Sequence, residues 1–146
     1  MRRIALLTTA FLLLDQLTKI LVGLYLHAPF AIIPDFFHLT YTQNTGIAFS
    51  IDLPRMVIIF LNLILIGLII YGGKKELNLK LNSSKVFVAL ILGGALGNLV
   101  DRIFHGFVID FISIWIYPVF NLADIFITLG VLLIILKYGK IKALKK

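Results

Sequence analysis

Long apolar runs alternate with short polar stretches along this chain, and four of the runs are long enough to cross a bilayer. A transmembrane helix needs about 20 largely apolar residues. Residues 4–26, 55–71, 86–104 and 119–136 meet that need, with ends open by a few residues. The connections between them carry different patterns. In residues 27–54, Phe36, Phe37, Leu39, Tyr41, Phe49 and Ile51 interleave with Thr, Gln and Asn, and Pro34 and Pro54 bracket the stretch. That alternation predicts short extended strands. Residues 105–118 hold Val108-Ile109 and Phe111-Ile112-Ser113-Ile114-Trp115-Ile116, which is too apolar to float in water. Both connections are predicted to lie on the membrane surface, with Trp115 and Tyr117 at the interface. The expected fold is an all-α membrane protein: one domain over residues 1–146, a four-transmembrane-helix bundle, a small β-rich connection outside it and an interfacial segment.

Composition supports the membrane class. Of the 146 residues, 60% are hydrophobic, and the mean hydropathy is +1.04. A soluble domain of this length has far more polar surface to cover. The absence of cysteine excludes disulfides, thiolate metal sites, a cysteine nucleophile and lipidation of the chain on cysteine. Met1-Arg2-Arg3 followed by an apolar run resembles a secretory leader. However, the run is too long, Asp15, Gln16 and Lys19 interrupt it, and no small-residue cleavage site follows. It reads as a retained helix.

Charge sets the orientation. Arg2, Arg3, Lys74, Lys75, Lys80, Lys85, Lys137, Lys140, Lys142, Lys145 and Lys146 all fall on one side if both termini are cytoplasmic. The two connections on the other side are nearly free of Lys and Arg. The net charge of +7 is thus an orientation signal and not a nucleic-acid surface.

The remaining polar residues need reasons. An Asp at a helix centre costs roughly 2.5–3.5 kcal/mol on insertion scales, so it needs a partner or a function. Asp15 and Lys19, four apart, share a helix face. They are either a buried ion pair or a direct contact to substrate. Asn98, Asp101 and Arg102 form one stripe near the end of the third span. Asp101 and Arg102 point about 100° apart and are not expected to pair with each other. Arg102 either snorkels to the interface or, with Asn98, bonds inward to orient a catalytic group. Gly93 and Gly97 make a small-residue face for close helix packing, and Gly97 offers room for a substrate chain. Asn121, Asp124 and Thr128 share a face at the start of the fourth span. Asp124 alone is explained by the helix dipole. Asp110, within Val108-Ile109-Asp110-Phe111-Ile112, has no local reason to exist. Two carboxyls that meet in a poorly hydrated pocket cannot both stay ionised, and such a pair is minimal equipment for hydrolysing a peptide bond. His27, His38 and His105 show no metal-ligand spacing and read as interfacial. Asp35 and Asp52 read as solvated turn residues, and Glu76 as part of the charged connection after the second span. No metal or cofactor is implied.

Five stretches, in order, carry a resemblance. They are Asp15-Gln16-Leu17-Thr18-Lys19; Asn44-Thr45-Gly46-Ile47-Ala48-Phe49; Gly93-Gly94-Ala95-Leu96-Gly97-Asn98-Leu99-Val100-Asp101-Arg102; Val108-Ile109-Asp110-Phe111; and Phe120-Asn121-Leu122-Ala123-Asp124. Each is weak alone. Together, from Asp15 to about Thr128, they resemble the bacterial lipoprotein signal peptidases, also called signal peptidase II. The resemblance implies an aspartyl endopeptidase of the cytoplasmic (inner) membrane, with its active site near the outer face. It would remove the leader of a diacylglyceryl-modified prolipoprotein just before the lipidated cysteine. It further implies a four-helix bundle with a small β-rich cradle and an interfacial helix outside. Membrane lipid is the other expected partner, and the chain is expected to be a monomer. Asp110 and Asp124 fall on the catalytic positions. Asp15, Lys19, Asn44, Gly46, Asn98, Asp101, Arg102 and Asn121 fall within motifs that support the site or contact substrate. The rival reading of the intramembrane charges is a small proton- or ion-coupled transporter or channel subunit. Four short spans without a repeat leave little room for alternating access. A scaffold without chemistry leaves Asp110 unexplained.

Overall fold

The structure, a computed structural model, describes residues 1–46 and 53–143. Helix α1 (Arg2–Tyr25) is followed by strands β1 (Phe30–Ile33) and β2 (Phe37–Asn44). Helices α2 (Arg55–Glu76) and α3 (Asn82–Phe104), strand β3 (Val108–Ile114) and helix α4 (Leu122–Ile141) complete the order. All four helices are long and apolar enough to span a membrane. The expected Ile47, Ala48, Phe49, Ile51, Asp52, Lys145 and Lys146 lie outside the described residues.

Three helix ends depart from expectation. α2 runs five residues beyond 71, α3 begins four residues before 86, and α4 ends five residues beyond 136. Lys74, Lys75, Lys85, Lys137 and Lys140 therefore lie on helical turns and not in connections, and so does Glu76, whose carboxylate accepts from Tyr138 Oη at 3.3 Å. Backbone hydrogen bonding continues where the apolar run stops, because a lysine stem can lie along apolar surface while its ammonium reaches outward. α4 also starts three residues later than 119. Phe120 pairs instead with Ile112 of β3 through reciprocal bonds of 2.8 and 3.0 Å.

α3 is the axis of the bundle. It is mostly buried and packs against α1, α2 and α4, whereas those three turn most of their apolar side chains outward. Glycines permit the close approach. A Cβ at Gly93 would lie 2.6 Å from Phe11 Cβ on α1, and one at Gly94 would run into the Ala123 carbonyl on α4. A Cβ at Gly97 would collide with the Asp15 carboxylate. The room expected there for substrate is already filled by an acid of the chain itself. At the end of the bundle away from the sheet, Ile4, Leu77, Phe87, Val88, Ala89, Leu92 and Ile141 form an apolar core.

The strands make one antiparallel sheet in the order β1-β2-β3. β1 and β2 bear out the strands expected in the first connection. Residues 108–114, for which no secondary structure was expected, form β3, with Val108, Ile109, Asp110 and Phe111 buried. No helix outside the four spans occurs among the described residues, so the interfacial helix implied by the resemblance is not seen there. Trp115 and Tyr117 lie exposed in the turn after β3. The β2–β3 ladder slips between Leu39 and Thr42: three steps along β2 match two along β3. Bulges of this kind re-aim side chains next to functional sites. Here the bulge puts Thr42 opposite Asp110, so Asn44, two residues on, shares the face of Asp110 at diagonal reach.

Candidate active site

Where the sheet meets the ends of α3 and α4, Asp15, Lys19, Asn44, Asn98, Asp101, Arg102, Asp110, Asn121 and Asp124 converge. Asp110 enters from β3 and is 3% exposed. Its Oδ2 accepts from Asn44 Nδ2 at 2.9 Å and its Oδ1 from Asn121 Nδ2 at 2.6 Å. Asp124 enters from the first turn of α4, whose start is built by a reciprocal cap. Asn121 Oδ1 accepts from the Asp124 N–H at 3.0 Å, and Asp124 Oδ2 accepts from the Asn121 N–H at 3.2 Å. Asp124 Oδ1 also accepts from Asn98 Nδ2 at 2.9 Å. Asn121 is therefore bonded to both carboxylates at once, to Asp110 by its amide and to Asp124 by its backbone.

The amide orientations are forced by donors. Lys19 Nζ can only donate, and it donates to Asn98 Oδ1 at 3.0 Å. Asn121 Nδ2 donates to the same oxygen at 3.1 Å. The Asn98 amide nitrogen must then face Asp124. In the same way the Gly46 N–H donates to Asn44 Oδ1 at 3.1 Å, which turns the Asn44 amide nitrogen toward Asp110.

Asp15 and Lys19 do pair, at 2.9 Å, but Lys19 also pairs with Asp101 at 2.9 Å. All three are essentially without solvent exposure. Asp15 Oδ1 accepts from the Ala123 N–H at 2.9 Å, and Asp101 Oδ2 accepts from the Ile109 N–H at 3.1 Å. Arg102 does not pair with Asp101. It donates to the Gly46 carbonyl at 3.2 Å and to the Asn98 carbonyl at 3.4 Å, so it holds the chain just after β2 against α3.

Two residues of the site escape the sequence reading. Gln16 donates to Asp101 Oδ1 at 2.9 Å and to the Gly97 carbonyl at 3.2 Å. Its polarity inside an apolar run and its place in the first of the five stretches mark it without giving it a role. Arg55 donates to the Arg102 carbonyl at 2.8 Å and to the Ile103 carbonyl, satisfying the orphan acceptors at the end of α3. Nothing in its position beside a span start marks it.

Burial pushes the Asp110 carboxyl up to about 6 from its ordinary 3.8. The hydrogen bond from Asn44 opposes this, the charge of Asp124 adds to it, and the Asn121 bond and Lys19 charge oppose it further. A second acid close enough to act on Asp110 through its charge is the arrangement that lets one carboxyl keep a proton while the other is ionised.

The chain is similar to known proteins over most of its length. The family model described as Signal peptidase (SPase) II matches residues 7–139. A lipoprotein signal peptidase of Caldicellulosiruptor bescii is 47% identical over 131 residues, covering 86% of this chain and 85% of that one. One of Halothermothrix orenii is 45% identical over 132 residues, covering 86% and 87%. Two solved structures, each described as a bacterial membrane enzyme studied by the in meso method, share the fold. The first has a TM-score of 0.81 at 30% identity over 94% of this chain and 87% of that one. The second has a TM-score of 0.78 at 32% identity over 91% and 90%. With a family model spanning nearly the whole chain and relatives matched over most of their own length, this chain belongs to the signal peptidase II family of aspartic peptidases.

Proposed function

We propose that this protein removes the leader peptide from lipid-modified prolipoproteins, with Asp110 and Asp124 as the catalytic pair. The observation that carries the reading is Asn121, whose amide bonds Asp110 while its backbone N–H bonds Asp124. One residue thereby holds two carboxyls in a single hydrogen-bonded unit. The pair shares a proton and titrates together. The ionised carboxylate takes a proton from water as the water oxygen bonds to the scissile carbonyl carbon. The protonated carboxyl gives its proton to the carbonyl oxygen. The resulting tetrahedral diol then collapses, the C–N bond breaks, and the leaving nitrogen takes up a proton from the pair. The products are a new carboxylate on the leader and a new amine on the mature chain.

The remaining motif residues support the pair. Asn98 and Asn121 bond Asp124, Asn44 bonds Asp110, and Arg102 fixes the segment at Gly46 beside it. Placing the basic chain ends and the α2–α3 connection in the cytoplasm puts the sheet and the pair at the outer face of the cytoplasmic membrane. A leader is itself an apolar helix and can lie beside the bundle, and the diacylglyceryl chains can stay in lipid, so the enzyme need not desolvate them. The enzyme is proposed to work as a single copy. A transporter has no comparable support, because Asp15, Asp101, Asp110 and Asp124 are joined in one hydrogen-bonded cluster and, among the described residues, Glu76 is the one helical acid at the other end.

The test is a precursor bearing a diacylglyceryl cysteine, incubated with purified protein in lipid vesicles. A new N-terminus at that cysteine is expected. An intact precursor, or proton flux into the vesicles without cleavage, would overturn the reading. The pH profile adds a second check. In the free enzyme Asp110 holds its proton below about 6 and releases it above. The acid that Asp110 supplies in the proposed mechanism is then lost, so kcat/KM is expected to fall about tenfold per pH unit on that limb. Asn44 donates to the charged form and holds the value down. Asn44→Ala is therefore expected to move the alkaline limb of kcat/KM to higher pH, while a limb that stays in place would mean that Asp110 does not set it.

A further inference from the structure

Each buried acid of the ion-pair triad ends on the backbone just before one member of the catalytic pair. Asp15 accepts from the N–H of Ala123, which precedes Asp124. Asp101 accepts from the N–H of Ile109, which precedes Asp110. Lys19 bridges the two acids at 2.9 Å each, and its third bond goes to Asn98, which in turn bonds Asp124. All the bonding capacity of the ammonium is used, and all of it leads to the pair.

We propose that Asp15, Lys19 and Asp101 act as a yoke that sets the separation and alignment of the Asp110 and Asp124 carboxyls, with Lys19 as its central positioning residue. This deepens the reading of the pair as catalytic and rests on it. A triad serving folding alone has no need to end on these two amides. α1 and α3 meet through Gly93 and Phe11 without it, and α3 and α4 meet through Gly94 and Ala123. The catalytic aspartates come from different elements, a strand and a helix, joined by a turn at residues 115–117. Something rigid has to hold their spacing. A buried charged group with three directed bonds does so more stiffly than apolar packing. The groups acting on the pair are Arg102 and Asn98 from α3, Lys19 from α1, Asn44 from β2 and Asn121 at the start of α4.

The test separates bridging from capping. Lys19→Met combined with Asp15→Asn keeps the net charge of the triad. The asparagine oxygen introduced on α1 can still accept from the Ala123 amide, and Asp101 from the Ile109 amide. The bridge is lost together with the Lys19 bond to Asn98, whose oxygen keeps the donor from Asn121. Misplacing reacting groups by about 1 Å costs on the order of 10²-fold. The folded double variant in lipid vesicles is expected to lose about 100-fold in kcat, with KM for the lipid-modified precursor within about two-fold. Affinity for a lipid-modified leader peptide carrying a secondary alcohol in place of the scissile carbonyl should fall in parallel with kcat/KM, because that group spans both carboxyls. Asp15→Asn alone, which leaves Lys19 paired with Asp101, is the gentler variant and should show the same kcat-only loss at about tenfold. Wild-type kcat in either folded variant would overturn the yoke, and so would failure of both to fold, which assigns the triad to stability alone. Neither result touches the assignment of Asp110 and Asp124, which is tested by their own substitution.

Discussion

Asp110→Asn and Asp124→Asn are each expected to lower turnover of a lipid-modified precursor by about 10⁴-fold, with the protein still folded. On the proposed mechanism, each substitution removes one ionisable carboxyl from a unit that uses one protonated and one charged member. The double variant should be no slower than either single one, because groups that act as a unit are not additive. The substitutions are not silent in the ground state. Asp110 accepts amide hydrogens on both oxygens, from Asn44 and Asn121. Asp124 accepts from Asn98 on one oxygen and from the Asn121 backbone on the other. An asparagine has one acceptor oxygen, so one donor at each site is left facing another donor, at a cost of about 1–3 kcal/mol. Thermal unfolding in detergent should therefore show a modest loss beside the near-complete loss of activity. Retained cleavage by either variant would remove the paired-acid mechanism.

How far the sequence discloses this site depends on whether a residue's reason is local or distant. The four spans are legible because an apolar run of sufficient length has few other uses. Their ends are not, because hydropathy stops at Lys74, Lys85 or Lys137 while helical bonding continues through them. The start of α4 is misread for the opposite reason: Val119 and Phe120 look like helix, but Phe120 joins the sheet and the Asn121–Asp124 cap begins the helix at Leu122. That cap has a spacing that can be read. Asp110 is conspicuous as an acid in an apolar stretch without a neighbour to explain it. The diagonal placement of Asn44 beside it depends on a bulge in β2, and no residue in Thr40-Tyr41-Thr42 announces one. Asp15 and Lys19 are legible as a pair at helical spacing. Asp101 joining them is not, since it comes from another helix and sequence distance carries no hint of the meeting. The bonds from the triad to the Ala123 and Ile109 amides involve backbone, which has no signature at all.

Lys19→Met without compensation is expected to give the largest loss of stability of any single substitution considered for this chain. Lys19 is 1% exposed, and its ammonium lies 2.9 Å from both Asp15 and Asp101, which are themselves fully buried. Removing one partner of a buried ion pair costs about 3–5 kcal/mol, because the charge left behind has neither water nor a counter-charge. Here two acids are stranded side by side, so the loss lies at the upper end of that range or beyond it. Total stabilities are on the order of 5–15 kcal/mol, so a loss of this size leaves little folded protein. Gln16 cannot compensate, since its amide donates to both acids but carries no charge. The damage would not stay local: the acids fix the amides at Ala123 and Ile109, and Lys19 fixes Asn98, so the turn of α4 and the start of β3 lose their anchors together. Thermal unfolding and protease resistance in detergent micelles are the measurements. The single variant should melt far below wild type, and adding Asp15→Asn should restore most of the difference by removing one stranded charge. A single variant as stable as wild type would mean that the two acids are not charged together in the interior, and the ion-pair account of this site would have to be abandoned.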